Sequence, residues 1–216
     1  DVTALGGAGG TPTAGTIQLS AATTVGQQGS TALKAGELKV IAGDVVTLTN
    51  TTNDVATVAV SEAGAGKAVS YTDANALKIG QITTTGTAPA NLATVTGITT
   101  DGGLVTVIAS GTGTLLIDKA IATTPTAAGT VGGAVSLTAG GTITSTAATG
   151  TITTTGSNNG AGTGGAGGEV LARSTGGNVT LSAGIVASGG TGTTTGGVGG
   201  VVTLLSNTGS VTAHDV

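Results

Sequence analysis

Three stretches of the chain share one template: Gly132-Gly-Ala-Val-Ser-Leu-Thr-Ala-Gly-Gly-Thr-Ile143, Gly167-Gly-Glu-Val-Leu-Ala-Arg-Ser-Thr-Gly-Gly-Asn-Val179 and Gly199-Gly-Val-Val-Thr-Leu-Leu-Ser-Asn-Thr-Gly-Ser-Val211. In each, a glycine pair leads into an alternating strand, a short glycine turn and a second strand, and the steps from Gly132 to Gly167 and from Gly167 to Gly199 are nearly equal. Imperfect copies of one unit at a nearly fixed period are the mark of stacked coils that lean on their neighbours for a shared core. What such coils can bury is restricted as well. The chain has no Phe, Trp, Met or Cys and one tyrosine, Tyr71, so its interior must be built from Val, Ile, Leu and Ala. Aromatics fill wide interiors, whereas small branched side chains suit a narrow one in which similar layers stack.

The first half carries the same alternation in Thr16–Ser20, Leu38–Ile41, Val45–Thr49, Ala56–Val60, Ala68–Tyr71, Leu77–Ile79, Leu104–Ile108 and Thr114–Ile117, with Ala-Gly, Asn-Asp and Asp-Gly-Gly turn signals between them. No stretch shows a helical period with caps. Two Gly-rich inserts, Gly156–Gly168 and Gly189–Gly200, precede template strands, and Gly6–Gly15 resembles a shorter third. Alone they would read as linkers. Their matching placement makes them loops that leave one corner of a stack, so residues 1–216 read as a single β-solenoid segment.

Apolar residues make up 38% of the chain and charged ones 7%, enough burial for a folded state despite the sparse charge. A net charge of −4 with six scattered basic residues gives no positive stripe, which argues against nucleic acid and anionic membrane as partners. No apolar run approaches the roughly 20 residues of a membrane span. The chain begins at Asp1, without a leader, and reads as a piece of a longer protein or as a repeating unit of a filament.

Gly43-Asp-Val-Val-Thr-Leu-Thr-Asn50, Asn53-Asp-Val-Ala-Thr-Val-Ala-Val60 and Asp73-Ala-Asn-Ala-Leu-Lys-Ile-Gly80 resemble the repeats of large filamentous-haemagglutinin-type exoproteins, and the Gly-Gly-x-Val-x-Leu strands look like that family's other repeat style. Val55 stands where the family commonly has an aromatic. The resemblance implies a right-handed parallel β-helix, secretion to the cell surface, and a part in adhesion, aggregation or biofilm.

Candidate chemistry is thin. Ser61-Glu-Ala-Gly-Ala-Gly-Lys-Ala68 is similar to a phosphate-binding loop but lacks its first Gly and its Ser or Thr. Gly162, Gly164 and Gly167 match G-x-G-x-x-G in a tract where such matches arise by chance. His214, the only histidine, has Asp215 beside it and Ser210 nearby, yet sequence neighbours cannot face each other as a triad. One His and no Cys supply no zinc ligand set. Asp54 and Asp73 are separated by about the length expected of one coil and would stack on one corner. They are the weak calcium candidates and the acids whose clustering in a groove would favour a polysaccharide-active enzyme. With Asn50, Asn53 and Asn75 they read rather as a turn ladder of side chains that bond the backbone. Asn50-Thr-Thr52 and Asn178-Val-Thr180 match the glycosylation pattern by chance. The pairs Thr47-Leu-Thr49, Thr142-Ile-Thr144 and Thr151-Ile-Thr153 raise an ice-binding face as a rival, countered by their irregular spacing.

The expectation is therefore an all-β, right-handed parallel β-helix (β-solenoid) with Gly-rich loop insertions, of roughly ten coils of about 20 residues and on the order of 50 Å long. Ile17, Leu19, Val46, Leu48, Val58, Val60, Leu77, Ile79, Val105, Val107, Leu115, Ile117, Val135, Leu137, Val179, Leu181, Val202 and Leu204 point inward. The functional expectation is an extracellular structural or adhesive shaft with no catalytic residue, cofactor or resident metal. It self-associates end to end and meets cell-surface or matrix glycans; ice binding and a polysaccharide-active enzyme are the alternatives.

Overall fold

The computed structural model describes residues 2–4, 15–29, 31–83 and 93–216, and among them there are strands, turns and bends but no helix. The third Gly-rich insert, Gly6–Gly15, falls almost wholly outside the described residues. Among those described, twenty-two strands form two large parallel sheets and one small antiparallel pair.

The first sheet stacks β3 (Val25–Gly26), β5 (Val46–Leu48), β7 (Val69–Asp73), β12 (Val105–Ala109), β15 (Val135–Ala139), β18 (Val170–Ser174) and β21 (Val202–Ser206) in chain order. Its register places Val25, Val46, Val69, Val105, Val135, Val170 and Val202 one over the next, a single column of valine through all seven strands. The second sheet has thirteen strands. At its start β1 (Val2–Ala4) and β2 (Thr16–Ala21) both lie on β4 (Leu33–Ala42), which lies on β6 (Asp54–Glu62). Beyond β6 the sheet forks. One branch runs through β8 (Leu77–Ile79), β13 (Leu115–Ile117), β16 (Ile143–Ser145), β19 (Val179–Leu181) and β22 (Val211–Ala213). The other runs through β11 (Ile98–Thr99), β14 (Ile121–Ala122), β17 (Ile152–Thr153) and β20 (Ile185–Val186). The chain thus visits the first sheet and both branches in turn and returns one strand further along each time.

Period-two alternation turns one side of every strand inward. The forked branch stacks Val60, Ile98, Ile121, Ile152 and Ile185, and the other stacks Leu77, Leu115, Ile143 and Val179. With the valine column they form one continuous apolar cluster. Of the residues expected inside, all are buried except Leu19, Val202 and Leu204, which are partly covered and pack against the cluster. Tyr71 joins them, buried between Leu48 and Val107.

The expected ten coils are corrected to seven levels, which at about 4.8 Å each span about 30 Å. The cause is the spacing of the valine column, which is short from Val25 to Val46 to Val69 and about half as long again in every later step, through Val105, Val135, Val170 and Val202. The extra length enters chiefly at one corner. Buried Thr100, Thr123 and Thr154 each donate a hydroxyl hydrogen bond, of 2.8, 2.5 and 2.7 Å, to the carbonyls of Gly103, Gly133 and Gly168. The Gly133 and Gly168 N–H groups donate back to the Thr123 and Thr154 carbonyls, and Gly200 does so to Ala187. Thr100 and Gly103 are almost adjacent in sequence, whereas Thr123 and Gly133, Thr154 and Gly168, and Ala187 and Gly200 each enclose a long splice, so the stack keeps its register whatever length is inserted. The spliced segments pair with one another through Asn159–Gly192 and Thr163–Thr195 bridges. The longest step, from Val69 to Val105, has another source: β9 (Gln81–Ile82) and β10 (Val95–Thr96) pair antiparallel and lay Ile82 and Val95 against the outward Ala59 and Ile41. Lys39 is fully buried beneath them and donates to the Ala93 carbonyl at 3.0 Å; burial pushes its pKa down.

The glycine two positions before each of the last four valines is fixed by close approach. A Cβ on Gly103, Gly133, Gly168 or Gly200 would collide with a carbonyl oxygen of the level below, that of Lys67, Gly103, Gly133 or Gly168 in turn. Gly133→Val is therefore expected to destabilise by about 3 kcal/mol or more in urea unfolding, whereas Gly160→Ala, whose Cβ meets nothing within 4 Å, is expected to change stability by less than about 0.5 kcal/mol.

Candidate functional site

The richest polar arrangement lies where the first sheet turns into the second. Alternation along β7 sends Tyr71 and Asp73 inward together, and Asp73 ends the strand fully buried. One carboxylate oxygen accepts hydrogen bonds from the Val55 N–H at 2.9 Å and the Tyr71 hydroxyl at 2.7 Å. The other accepts from the Asn75 N–H at 2.9 Å. One level lower, buried Asn53 donates to the Leu48 and Thr72 carbonyls and accepts from the Leu33 N–H and the Gln27 amide. Asn50 donates to the Gly29 and Thr31 carbonyls and accepts from Thr52. Backbone groups that a turn would leave bare are thereby satisfied across adjacent levels.

The expected turn ladder is present in Asn50, Asn53 and Asp73, while Asn75 enters through its backbone and leaves its side chain exposed. Asp54 stands apart from this network on β6, opposite Lys34, and is half-buried. Asp73 is sealed from solvent, so the pair makes no exposed acid groove of the kind a polysaccharide-cleaving site requires. Among the described residues no three His, Cys, Asp or Glu side chains stand together as a metal-binding group.

The remaining motifs are accounted for by packing. Lys67 pairs with Asp44 at 3.4 Å. A Cβ at Gly164 or Gly167 would collide with the Gly190 or Ala187 carbonyl, so these glycines serve contact between stacked segments. His214 and Asp215 are bonded at 2.8 Å and both exposed, while Ser210 is tied through its N–H to Asn178. The side-chain amide of Asn50 is committed to two carbonyls, and Asn178 accepts the Ser210 bond. The Thr47–Thr49, Thr142–Thr144 and Thr151–Thr153 pairs fall on the first sheet and on the two different branches of the second, around buried Leu48, Ile143 and Ile152. They do not share one flat face. Shallow concavities of about 590, 260 and 380 Å³ are lined by aliphatic, glycine, hydroxyl and amide residues and hold no acid or base. Compared with protein-family models, with curated proteins and with solved structures, the chain matches none.

Burial raises the Asp73 carboxyl above its ordinary value against the opposing pull of its hydrogen bonds, and burial drives the Tyr71 hydroxyl well up. A carboxyl with a raised folded pKa contributes stability that is complete below its unfolded value and is lost as pH rises through the folded one. Thermal melts should therefore show Asp73 favouring mild acid over neutral pH, a dependence reduced in Asp73→Asn. Asp73→Ala, which strands the buried Val55 N–H and Tyr71 hydroxyl and the part-buried Asn75 N–H, is expected to cost about 3 kcal/mol or more, and Asp54→Ala below about 1 kcal/mol, by urea unfolding.

Proposed function

We propose that this chain is a structural and adhesive element: a right-handed parallel β-solenoid with Gly-rich insertions that forms part of an extracellular shaft, in the manner of filamentous-haemagglutinin-type exoproteins. The observation that carries the reading is the valine column of seven levels, with its flanking glycine column. An interior that repeats one residue per level extends by addition, and its product is length and stiffness. The buried acids and amides support the same reading, because their hydrogen bonds are spent on backbone between levels. In this reading the chain is no enzyme and needs no cofactor.

The edge of β21 has no partner strand among the described residues, and Val202 and Leu204 are only partly covered. Such an edge takes another strand. A further coil of a longer chain, or the first level of a second copy, supplies one of matching pattern, which gives end-to-end association as the primary contact and surface glycans as ligands of the flanks.

Electron microscopy of the native material, with a mass measured on the same sample, tests this. Uniform rods or fibres about one coil in cross-section are expected; a mass near 19.8 kDa per subunit in a fibre means a polymerising unit, and a much larger mass means a stretch of a long shaft. Compact monomers that bind neither each other nor a cell surface would overturn the reading.

A further inference from the structure

Inward alternation along β6 continues past Val58 and Val60 to Glu62, which is 3% exposed. One of its oxygens accepts the Gly64 N–H; the other is buried with no hydrogen-bond partner among the described residues. An acid in such a place stands out on a strand whose preceding inward positions are aliphatic.

Its column explains what the position does elsewhere. Ser61 pairs with Thr99, Thr99 with Ala122, Ala122 with Thr153 and Thr153 with Val186. One residue further along lie Glu62, Thr100, Thr123, Thr154 and Ala187, with Ala42 paired beneath Glu62, all at one corner. Three of these are the buried threonines whose hydroxyls donate to Gly103, Gly133 and Gly168 and close the corner. In the level of Glu62 the place of that glycine is taken by Lys67, whose carbonyl lies under Gly103. Glu62 thus stands, directly above Ala42, in the position that the three levels following it fill with a hydroxyl donor. A carboxylate has none, and a neutral carboxylic acid has one.

We propose that Glu62 is a pH-operated fastener: as the neutral acid it supplies the donor that Thr100, Thr123 and Thr154 supply in the levels above, and on ionising it leaves the corner between Glu62 and Lys67 unfastened. The charges facing it are Asp44 from the level below, Asp101 from the level above and Lys67 in its own corner. Asp44 is held by Lys67 and by the Val45 N–H, and Asp101 by the N–H and hydroxyl of Thr126, so both acids already have partners. Burial raises the Glu62 pKa first, the Gly64 N–H opposes it, Asp101 and Asp44 add to the rise, and Lys67 opposes it. By the linkage sign, the fastening is complete below the ordinary glutamate value and is lost as pH rises through the raised one. The stack is tighter in acidic surroundings than at neutral pH.

The test compares the whole chain with Glu62→Gln, which carries a donor at every pH, by thermal melts at about pH 4.5 and about pH 7.5. The wild type should lose several degrees more than the variant between the two, with Glu62→Gln equal to or above wild type at the higher pH. Asp73 is common to both proteins, so the difference isolates Glu62. Parallel curves, or a variant lower by the same amount at both pH values, overturn the proposal. A carbon-13 titration of the Glu62 carboxyl in the unmutated chain provides a readout independent of any variant: a midpoint above about 4.3 is expected, and one at or below that value overturns it.

Discussion

Everything in this structure depends on parallel strands being laid in strict register, like residue over like. The backbone ladder alone would tolerate a slip, since every N–H would find another carbonyl. The side chains do not: a slip by a single position would send the valine column to solvent and bring Thr106, Ser136 and Leu171 inside. Burying one Val or Ile contributes about 1.5–3 kcal/mol, and each level buries several, so register is the most strongly specified property of the fold. From Gly103 onward a glycine column reinforces it, because there a Cβ would collide with a carbonyl of the level below.

With register held by two columns, the corners are free to vary. A threonine hydroxyl closes the loop on a glycine carbonyl, joined at Gly133 and Gly168 by the glycine N–H, and splices as short as that between Thr100 and Gly103 or as long as that between Thr154 and Gly168 fit without disturbing the stack. The opposite corner is closed by a different device, the Asn53 and Asp73 side chains, which reach into the neighbouring level. Later levels replace these with serine: the Ser174 and Ser206 hydroxyls both donate to the Gly177 carbonyl. Where a polar side chain stands at a bend it bonds backbone there, while Ala109, Ala139 and Ala187 hold the same column positions without one.

Much of this was legible. The Gly-Gly-x-Val template marks both columns, and alternation picked out the interior because period two leaves no other face to bury. Asp73 and Glu62 could have been placed as well: they share the parity of Tyr71 and of Val60, and only the usual exposure of acids obscured it. The number of levels was not legible, because splices of unequal length hide the short repeat that separates Val25, Val46 and Val69 behind the longer one of the glycine template. Nor was the β9–β10 hairpin, whose strands are too short to carry a period of their own, or the burial of Lys39, which depends on that hairpin lying across it.

The measurement that bears most directly on register is disulfide trapping in a chain that has no cysteine of its own. Thr106 and Ser136 are register partners on the outward side of β12 and β15, at a spacing of about 4.8 Å that suits a disulfide, whereas Thr106 and Thr138 are diagonal and about 8 Å apart, too far for one. The account predicts that the Thr106→Cys, Ser136→Cys pair closes readily under mild oxidation of the folded protein and that Thr106→Cys, Thr138→Cys does not. Equal closure of both, or closure of the diagonal pair alone, would contradict it.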